Sequence, residues 1–379
     1  MSDVRTESGA PTRAPADPPQ HEPPLRAGRR PSAGDIARRF LTMREGSIVV
    51  VTVLAAIYFA VQNDRFFTQA NFENLLPYFA PFAILAVGEV LLMVAGEIDL
   101  SVGSVYLFAP FMFYEFNQAG IGLIPCLILA LLCCAVVGII NGVFTEIIGV
   151  SSFITTLGML LGLGGLTLII SHAQPVAMPG AEVTSKTVNV THVINGQTVT
   201  LPEKVNEIGT FARIFGGGIY SELIWALIIV VAVQVLLTLT RWGMYTIAVG
   251  GNKHGAAEAG INVRMTVIRN FIVCSVFAGF VGVLEAVRAS SVTPDTAGAS
   301  ETMFRAVSAA VIGGTLLAGG QGTAVGALFG ALFLGILRDG LTLQGVNADY
   351  LDFILGVAIL FAMVINVYVG RVRKGSGRG

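Results

Sequence analysis

Apolar residues occur along most of this chain in long runs that are separated by short polar segments. A helix needs about 20 mostly apolar residues to cross the hydrocarbon core of a bilayer. The pattern predicts ten membrane-spanning helices, near residues 47–62, 79–95, 99–116, 121–140, 152–171, 222–240, 267–288, 304–318, 323–340 and 352–370. Several runs are short or interrupted by glycine, so the predicted number is about ten.

Composition supports a membrane environment. Of the 379 residues, 54% are hydrophobic and 12% are charged, against about 25% charged in ordinary soluble domains. The mean hydropathy is +0.75. A soluble protein of this length needs more charge on its exterior, so we expect an all-α polytopic membrane protein.

Charge is segregated along the chain, although the net charge is only -1. Residues 1–46 are rich in proline and arginine and predict a disordered basic tail, and residues 371–379 form a second basic tail. The basic loops and tails also include segment 241–266, whereas the intervening loops lean acidic. The positive-inside rule therefore places both termini in the cytoplasm, with a transmembrane domain over residues 47–370.

One long loop, residues 172–221, lies on the other side of the membrane in this topology. Within it the sequence TVNVTHVINGQTVTL alternates around Asn195-Gly196, which is a strong signal for a β-hairpin. We expect a small hairpin there.

No motif for a cofactor, a metal ion or a catalytic residue is found. The segment GAEVTSKT has Ser185 where a phosphate-binding loop requires glycine, and the four histidines belong to no HExxH or GxSxG pattern. The four cysteines lack CxxC spacing and predict helix packing rather than metal binding. We expect no bound cofactor or metal and no nucleic-acid partner.

The stretch GEIDLSVGSV places carboxylates between two apolar runs. Its members predict a broken helix that lines a polar path, because irregular backbone at membrane depth must face protein or water. The candidate residues are Gly96, Glu97, Asp99, Ser101, Gly103 and Ser104. The alternative is structural: Asp99 caps the next helix by accepting hydrogen bonds from amides two or three residues on.

Glu89 lies one span earlier, in the middle of a predicted helix. An acid at membrane depth is a pathway candidate. A protonated side chain, or one paired with Asn141 or another partner, is the alternative.

A second break is predicted at AGGQGT, with Gly319, Gly320 and Gly322 as its members. The nine residues from Gly319 align with the nine from Gly96 at three identities, each set lying between two apolar helices. This weak echo favours an internal repeat of the kind that transporters carry.

The segment GGNKHGAAEAGINV predicts a short helix on the cytoplasmic side. Asn252 is its possible N-cap and Gly260 its terminator. It is either a connector or an element that docks on a soluble partner. The candidate docking residues are Gly250, Gly251, Asn252, Ala257, Glu258 and Gly260.

These segments resemble a known family. GEIDLSVGSV is similar to the GGIDLSVGS signature of the membrane permeases of ribose-, xylose- and galactose-type ABC importers, with Glu97 where the family usually has glycine. The blocks that begin at Asn141, Ala248 and Ala309 resemble later family blocks in the same order. The resemblance covers roughly residues 70–368.

The resemblance implies a type II ABC importer permease fold of about ten helices in the bacterial cytoplasmic membrane. It also implies two permease copies, identical or related, two separate ATPase subunits that use ATP, and a periplasmic or lipid-anchored sugar-binding protein. The chain is then a transport subunit for a pentose, a hexose or a related polyol, and segment 250–260 docks on the ATPase.

Two alternatives stay open. Within the family, the substrate is a branched-chain amino acid or a nucleoside. Outside it, the chain is a proton-coupled secondary transporter that uses Glu89 and Asp99.

Overall fold

The structure is a computed structural model that describes residues 46–194, 197–347, 350–351, 353–361 and 364. Both predicted tails lie outside the described residues: residues 1–46, of which only Gly46 is described, and residues 371–379. Of the predicted final span, 352–370, residues 352, 362, 363 and 365–370 also lie outside.

The described chain is mainly helical. Its helices are α1 (Gly46–Gln62), α2 (Gln69–Ala95), α3 (Val102–Gln118), α4 (Leu123–Val143) with a π-helical extension (Phe144–Ile148), α5 (Ser152–Ile170), α6 (Thr210–Ile214), α7 (Ser221–Leu239), α8 (Arg241–Gly251), α9 (Lys253–Glu258), α10 (Val263–Ala289), α11 (Thr296–Ile312) and α12 (Ala324–Leu343). Further helical residues lie between 350 and 361. The strands are β1 (Val176–Ala177), β2 (Val183–Ile194), β3 (Gln197–Ile208) and β4 (Ser291–Val292).

Six helices of the described chain are long and apolar enough to cross a membrane: α2, α4 with its extension, α5, α7, α10 and α12. Helices α1, α3 and α11 have 17 residues each. The chain is therefore a polytopic, multi-pass helical protein.

Helix α2 lies at the centre of the bundle. It packs against α7, α8, α10, α11 and α12, and 89% of its most apolar window is buried. The corresponding windows of α4, α5 and α7 are 33%, 22% and 33% buried. Because these three helices expose apolar side chains, we assign their outer faces to lipid.

The predicted start of the second span, residue 79, is wrong. Helix α2 begins at Gln69, where Thr68 accepts a hydrogen bond from the Asn71 amide at 3.3 Å, and it continues through Pro77 and Pro81. Proline removes an amide donor from a helix, but neighbouring helices make such positions tolerable in membrane bundles. The prolines therefore do not end the helix.

The predicted span 304–318 is also displaced, because α11 runs from Thr296 to Ile312. Asp295 Oδ1 accepts hydrogen bonds from the amides of Ala297 and Gly298, both at 3.0 Å, and so fixes an earlier start. Gly314 has φ +93° just after the helix, a conformation that favours glycine and turns the chain.

The two ends of the bundle carry different elements. At one end, β1 pairs antiparallel with β4, and β2 pairs antiparallel with β3 from Val183↔Ile208 to Ile194↔Gln197. The latter strands occupy the region where the sequence predicts a hairpin. At the other end lie α8 and α9, and α10 runs between the two ends.

Candidate functional site

The first helix break occurs where the sequence predicts it. Gly96 ends α2 with φ +89°, and α3 begins at Val102. Asp99 Oδ1 accepts hydrogen bonds from the Ser101 amide at 2.8 Å and from the Ser101 hydroxyl at 2.5 Å. Asp99 therefore closes a local turn just before α3, whereas α3 itself has Ser101 as its N-cap and no side-chain capping bond, so the predicted cap by Asp99 is not formed.

Neighbouring helices satisfy the other polar groups of this break. Asn141 of α4 donates from Nδ2 to the Ser101 hydroxyl at 2.9 Å. The Leu100 amide donates to Thr156 Oγ1 of α5 at 3.0 Å. The break is thus held in protein by side chains from two other helices.

Glu89, a residue of α2, contacts the backbone of the first break. Its side chain is fully buried, Oε2 accepts from the Asp99 amide at 3.4 Å, and Cys274 Sγ lies 3.8 Å from Oε1. The proposed partner Asn141 is wrong, because that amide donates to Ser101 instead. Asp99 is also fully buried, and its Oδ2 has no hydrogen-bond partner.

Gly103 and Ser104 make packing contacts beyond the break. A Cβ on Gly103 would lie 2.0 Å from the Ala299 carbonyl oxygen, so α3 and α11 approach closely there. The Ser104 hydroxyl donates to the Leu160 carbonyl at 2.6 Å. Both residues therefore hold α3 against its neighbours.

Segment 250–260, here called the connector segment, contains the predicted short helix. Asn252 Oδ1 accepts from the Gly255 amide at 2.9 Å and caps α9. Gly260 has φ +82° and ends it, as predicted. Ala256 is buried, whereas Ala257 and Glu258 are exposed. The segment therefore has an anchored side and a free outer face.

The connector segment meets both helix breaks at one junction. The Gly320 amide donates to the Val94 carbonyl at 2.8 Å. A Cβ on Gly250 would lie 1.8 Å from that carbonyl oxygen, and a Cβ on Gly319 would lie 3.0 Å from the Gly96 Cα. The structure thus brings together three sequence segments that were predicted as separate sites.

Gly322 and Gly251 differ in their surroundings. A Cβ on Gly322 would lie 2.6 Å from Val94 Cγ2, so this residue also packs at the junction. A Cβ on Gly251 would meet nothing within 4 Å.

Lys253 adds an electrostatic link at the junction. Its ammonium lies 3.1 Å from Glu97 Oε1 and 2.6 Å from Glu146 Oε1. The Lys253 side chain is 50% exposed, against 13% for Glu97 and 4% for Glu146. One cation therefore joins the connector segment to the first break and to the end of α4.

The pKa of Lys253 is raised above its ordinary value of 10.5. Partial burial lowers this pKa, but the hydrogen bond to Glu146 and the interactions with Glu97 outweigh that effect. Lys253 therefore carries its charge at every physiological pH.

Sequence reasoning missed this link. Glu146 stands 107 positions from Lys253 and Glu97 stands 156 away. The sequence shows Glu97 where the family signature usually has glycine, but this departure does not identify its partner.

Two further hydrogen bonds link α8, which leads into the connector segment, to α2. Trp242 Nε1 donates to Asn270 Oδ1 at 2.8 Å, and Asn270 Nδ2 donates to the Leu91 carbonyl at 3.0 Å. Helices α8, α10 and α2 are thus linked through one buried side chain.

The polar side chains of the junction join neighbouring segments of the chain. In the described part of the chain, no group of three or more His, Cys, Asp and Glu side chains could hold a metal ion. Most of the polar groups named above bond to one another or to backbone, whereas Asp99 Oδ2 and Asn141 Oδ1 are buried without a hydrogen-bond partner.

Comparisons with known proteins identify the family of this chain. Residues 71–363 match the family described as branched-chain amino acid transport system / permease component. The xylose/arabinose import permease protein XylH of Sulfolobus acidocaldarius is 31% identical over 344 residues, which cover 89% of this chain and 87% of that protein.

Two relatives from Escherichia coli strain K12 match over similar lengths. The ribose import permease protein RbsC is 32% identical, over 87% of this chain and 96% of that protein. The galactose/methyl galactoside import permease protein MglC is 29% identical over the same shares. No solved structure gives a significant match. The chain therefore belongs to this family of transport-system permease components, and it is a membrane transport subunit rather than an enzyme.

Proposed function

We propose that this chain is the membrane-spanning permease subunit of an ATP-driven importer that carries a simple sugar, a pentose, a hexose or a related polyol. The relatives named for xylose/arabinose, ribose and galactose import support a sugar, and so does the GEIDLSVGS segment. A separate ATPase chain hydrolyses ATP, and this chain needs no bound cofactor or metal.

The junction is the observation that carries this proposal. The connector segment has an exposed outer face on α9. On its inner side it is linked to the first break by the Lys253–Glu97 ion pair and packs closely against Gly319 and Gly320 of the second break. An ATPase that grips the outer face displaces α9, and the close approach of Gly250 to Val94 passes the displacement to the breaks. Coupling requires different contacts in the two states of the transporter, and the Lys253 link is a contact that can differ.

In this mechanism the buried acids stabilise the backbone of the first break. Glu89 and Asp99 are engaged in hydrogen bonds around the first break and have no exposed surface. We propose that they hold the break in shape while a neutral sugar passes, and that they do not bind the sugar tightly.

The proposed topology has ten spans with both termini in the bacterial cytoplasm. Its domains are the tail 1–46, the membrane domain 47–370 and the tail 371–379. Loop 172–221 is extracytoplasmic and segment 241–266 is cytoplasmic. The basic residues Arg241, Lys253 and Arg264 of that segment, and Arg269 just after it, support this side. Two permease copies, identical or related, pair with two ATPases and with a periplasmic or lipid-anchored sugar-binding protein.

Uptake by cells tests the proposal. The chain is expressed with and without a cognate ATPase and binding protein, and uptake of labelled pentoses, hexoses, leucine and adenosine is measured in a protonophore at maintained ATP. Sugar uptake that needs both partners and survives the protonophore supports the importer.

Other outcomes refute it. Uptake of leucine or adenosine alone replaces the sugar by another substrate of the family. Uptake by the chain without partners that collapses with the proton gradient makes Glu89 and Asp99 a proton-coupling site.

A further inference from the structure

Two adjoining cavities lie in the half of the bundle that faces β1 and β4, away from the junction. Their volumes are about 340 Å³ and about 190 Å³. Both are lined by Tyr106, Glu285, Thr302 and Arg305, which come from α3, α10 and α11. The larger cavity alone reaches the lower end of the range of about 300–1,000 Å³ that small-molecule sites occupy.

The cavities are polar although they lie among apolar helices. Three acidic and three basic side chains line them: Glu285, Asp295, Glu301, Arg288, Arg305 and Arg338. Charged residues within membrane segments are costly and commonly mark a substrate path. Because the two signs balance, the cavities favour a neutral polar solute over an ion.

The charges are held by ion pairs. Arg288 lies 3.1 Å from Glu222 and also contacts Glu285. Arg305 contacts Glu301, and Arg338 lies 3.6 Å from the same carboxylate. These pairs fix several donors and acceptors in place around the cavity before any ligand arrives.

One donor in the wall has no hydrogen-bond partner. Arg338 Nη1 is buried, and its distance of 3.6 Å from Glu301 Oε1 is too long for a hydrogen bond. A buried donor left without a partner costs free energy. Arg338 lines the larger cavity, so a small rotation of its guanidinium toward that cavity would bring this donor within reach of a hydroxyl group.

Aromatic rings form another part of the wall. Tyr78 and Phe82 line the smaller cavity, and Tyr106 lines both. The Arg338 guanidinium lies 5.5 Å from the centre of the Tyr78 ring, and that of Arg305 lies 5.5 Å from the centre of the Phe82 ring. Fixed charged groups beside aromatic faces match a molecule that has hydroxyls on its rim and a C–H face.

From these contacts we propose that the cavities form a low-affinity binding site for a neutral monosaccharide in the permease itself. Hydroxyls of the sugar bind to Arg338, Glu285 and Thr302. The Tyr106 hydroxyl binds a further sugar hydroxyl, and the C–H face of the sugar packs on the aromatic wall formed by Tyr78 and Phe82. The site rests on the proposed function and adds to it a place where the permease selects its substrate. Binding is weak because a transporter must also release the substrate that it binds.

Saturation-transfer difference NMR tests the site without partner proteins. The full chain in lipid nanodiscs is mixed with xylose, arabinose, ribose or galactose, each beside an equal concentration of the charged sugar glucuronate. We expect saturation transfer to at least one neutral sugar and markedly less to glucuronate. Absence of transfer to all four neutral sugars overturns the site.

Two variants locate the binding. Arg338→Met removes the unpartnered donor, and Tyr106→Phe removes only a hydroxyl from the wall, so it carries little risk to folding. Both should weaken the NMR effect severalfold, whereas Arg269→Met, at the opposite end of α10, should leave it unchanged. An undiminished effect in folded Arg338→Met and Tyr106→Phe proteins refutes the location.

The same variants in the reconstituted importer separate this proposal from the proposed function. We expect a raised KM for the sugar at unchanged ATP hydrolysis without sugar. Sugar transport by an importer whose permease gives no NMR effect overturns the cavity site and leaves the importer proposal intact. Failure of all sugar transport with partners present overturns the proposed function.

Discussion

Replacing Lys253 with glutamine tests the electrostatic link between the connector segment and the first break. The substitution removes the cation that lies 2.6 Å from Glu146 and 3.1 Å from Glu97. Glutamine keeps a polar side chain of similar reach, so the loss of charge is the main change.

The magnitude follows from the burial of the partners. The Glu146 side chain is only 4% exposed, and leaving a buried charged group without its partner costs about 1–3 kcal/mol or more. Lys253 is half exposed, so water replaces part of the interaction and we take the lower part of that range, about 1–2 kcal/mol. Since 1.4 kcal/mol is tenfold, the coupled arrangement loses about 5- to 30-fold in population.

The assay counts sugar molecules imported per ATP hydrolysed in proteoliposomes that hold the permease, its ATPase and its binding protein. We expect this ratio to fall about 5- to 30-fold in Lys253→Gln, because α9 then moves without carrying Glu97 and the first break. Lys253→Arg should restore most of the ratio, and Arg264→Gln, which removes an exposed charge nearby, should not change it.

A double-mutant cycle with Glu97→Gln completes the test. If the two residues act through each other, the double variant should lose less than the sum of the single losses. An unchanged ratio in Lys253→Gln, or strictly additive losses in the cycle, would refute the coupling role of this contact.

The pH dependence has a definite sign. Because the folded state raises the pKa of Lys253, the link is fully present below its ordinary pKa of 10.5 and is lost as pH rises above it. The ratio of sugar to ATP should therefore be flat through neutral pH on account of Lys253. A loss of coupling between pH 6 and about 9 that disappears in Lys253→Gln would contradict this assignment.

Three further predictions concern the junction and the breaks. Gly250→Ala should lower the midpoint of thermal unfolding by several degrees, because its Cβ would lie 1.8 Å from the Val94 carbonyl oxygen. Gly251→Ala is the control and should leave the midpoint unchanged, because its Cβ would meet nothing within 4 Å. Equal midpoints for the two variants would contradict the close approach. Asp99→Ala should cost about 1–2 kcal/mol of stability in thermal or denaturant unfolding, because it removes the hydrogen bonds to Ser101. Asp99→Asn should cost less, because asparagine can still accept from the same amide, and the reverse order would exclude this role in the turn. Glu258→Arg and Gly260→Pro should leave the protein folded but uncouple ATP hydrolysis from uptake. The first variant reverses a charge on the outer face of α9, and the second cannot adopt the φ of +82° that ends this helix. Normal transport by both variants would count against docking.

The sequence predicts the breaks well because they depend on local chemistry. Gly96 and Gly260 adopt positive φ at the ends of helices, Asp99 closes the turn before α3, and Asn252 caps α9. Each of these contacts joins residues within a few positions of one another. Propensity and capping rules therefore suffice to locate them.

Other features were predicted wrongly because packing overrides local preference. The second span was predicted to start near residue 79, yet α2 begins at Gln69 and runs through Pro77 and Pro81 as the buried centre of the bundle. The start of α11 follows Asp295 rather than the apolar run that comes later. Hydropathy identifies the part of a helix that faces lipid or core, and it does not identify where the hydrogen-bonded helix begins.

The assembled site lay beyond sequence reasoning for a different reason. The junction joins Gly96, Gly250 and Gly320, and the cavity joins Tyr106 with Arg338. These residues come from distant positions, and only the packing of whole helices decides which of them meet. The types of side chain were visible in the sequence, but their partners were not.

Helix α10 gives the bundle a direct mechanical axis. It has 27 residues and so a length of about 40 Å, and it starts just after the connector segment and ends at strand β4, which pairs with β1 at the base of loop 172–221. A helix of this kind is stiff along its axis, so an axial displacement of one end is transmitted to the other end almost unchanged. A protein that engages the loop and an ATPase that grips α9 would thus act on opposite ends of one rod, and neither could move it without the other experiencing the load.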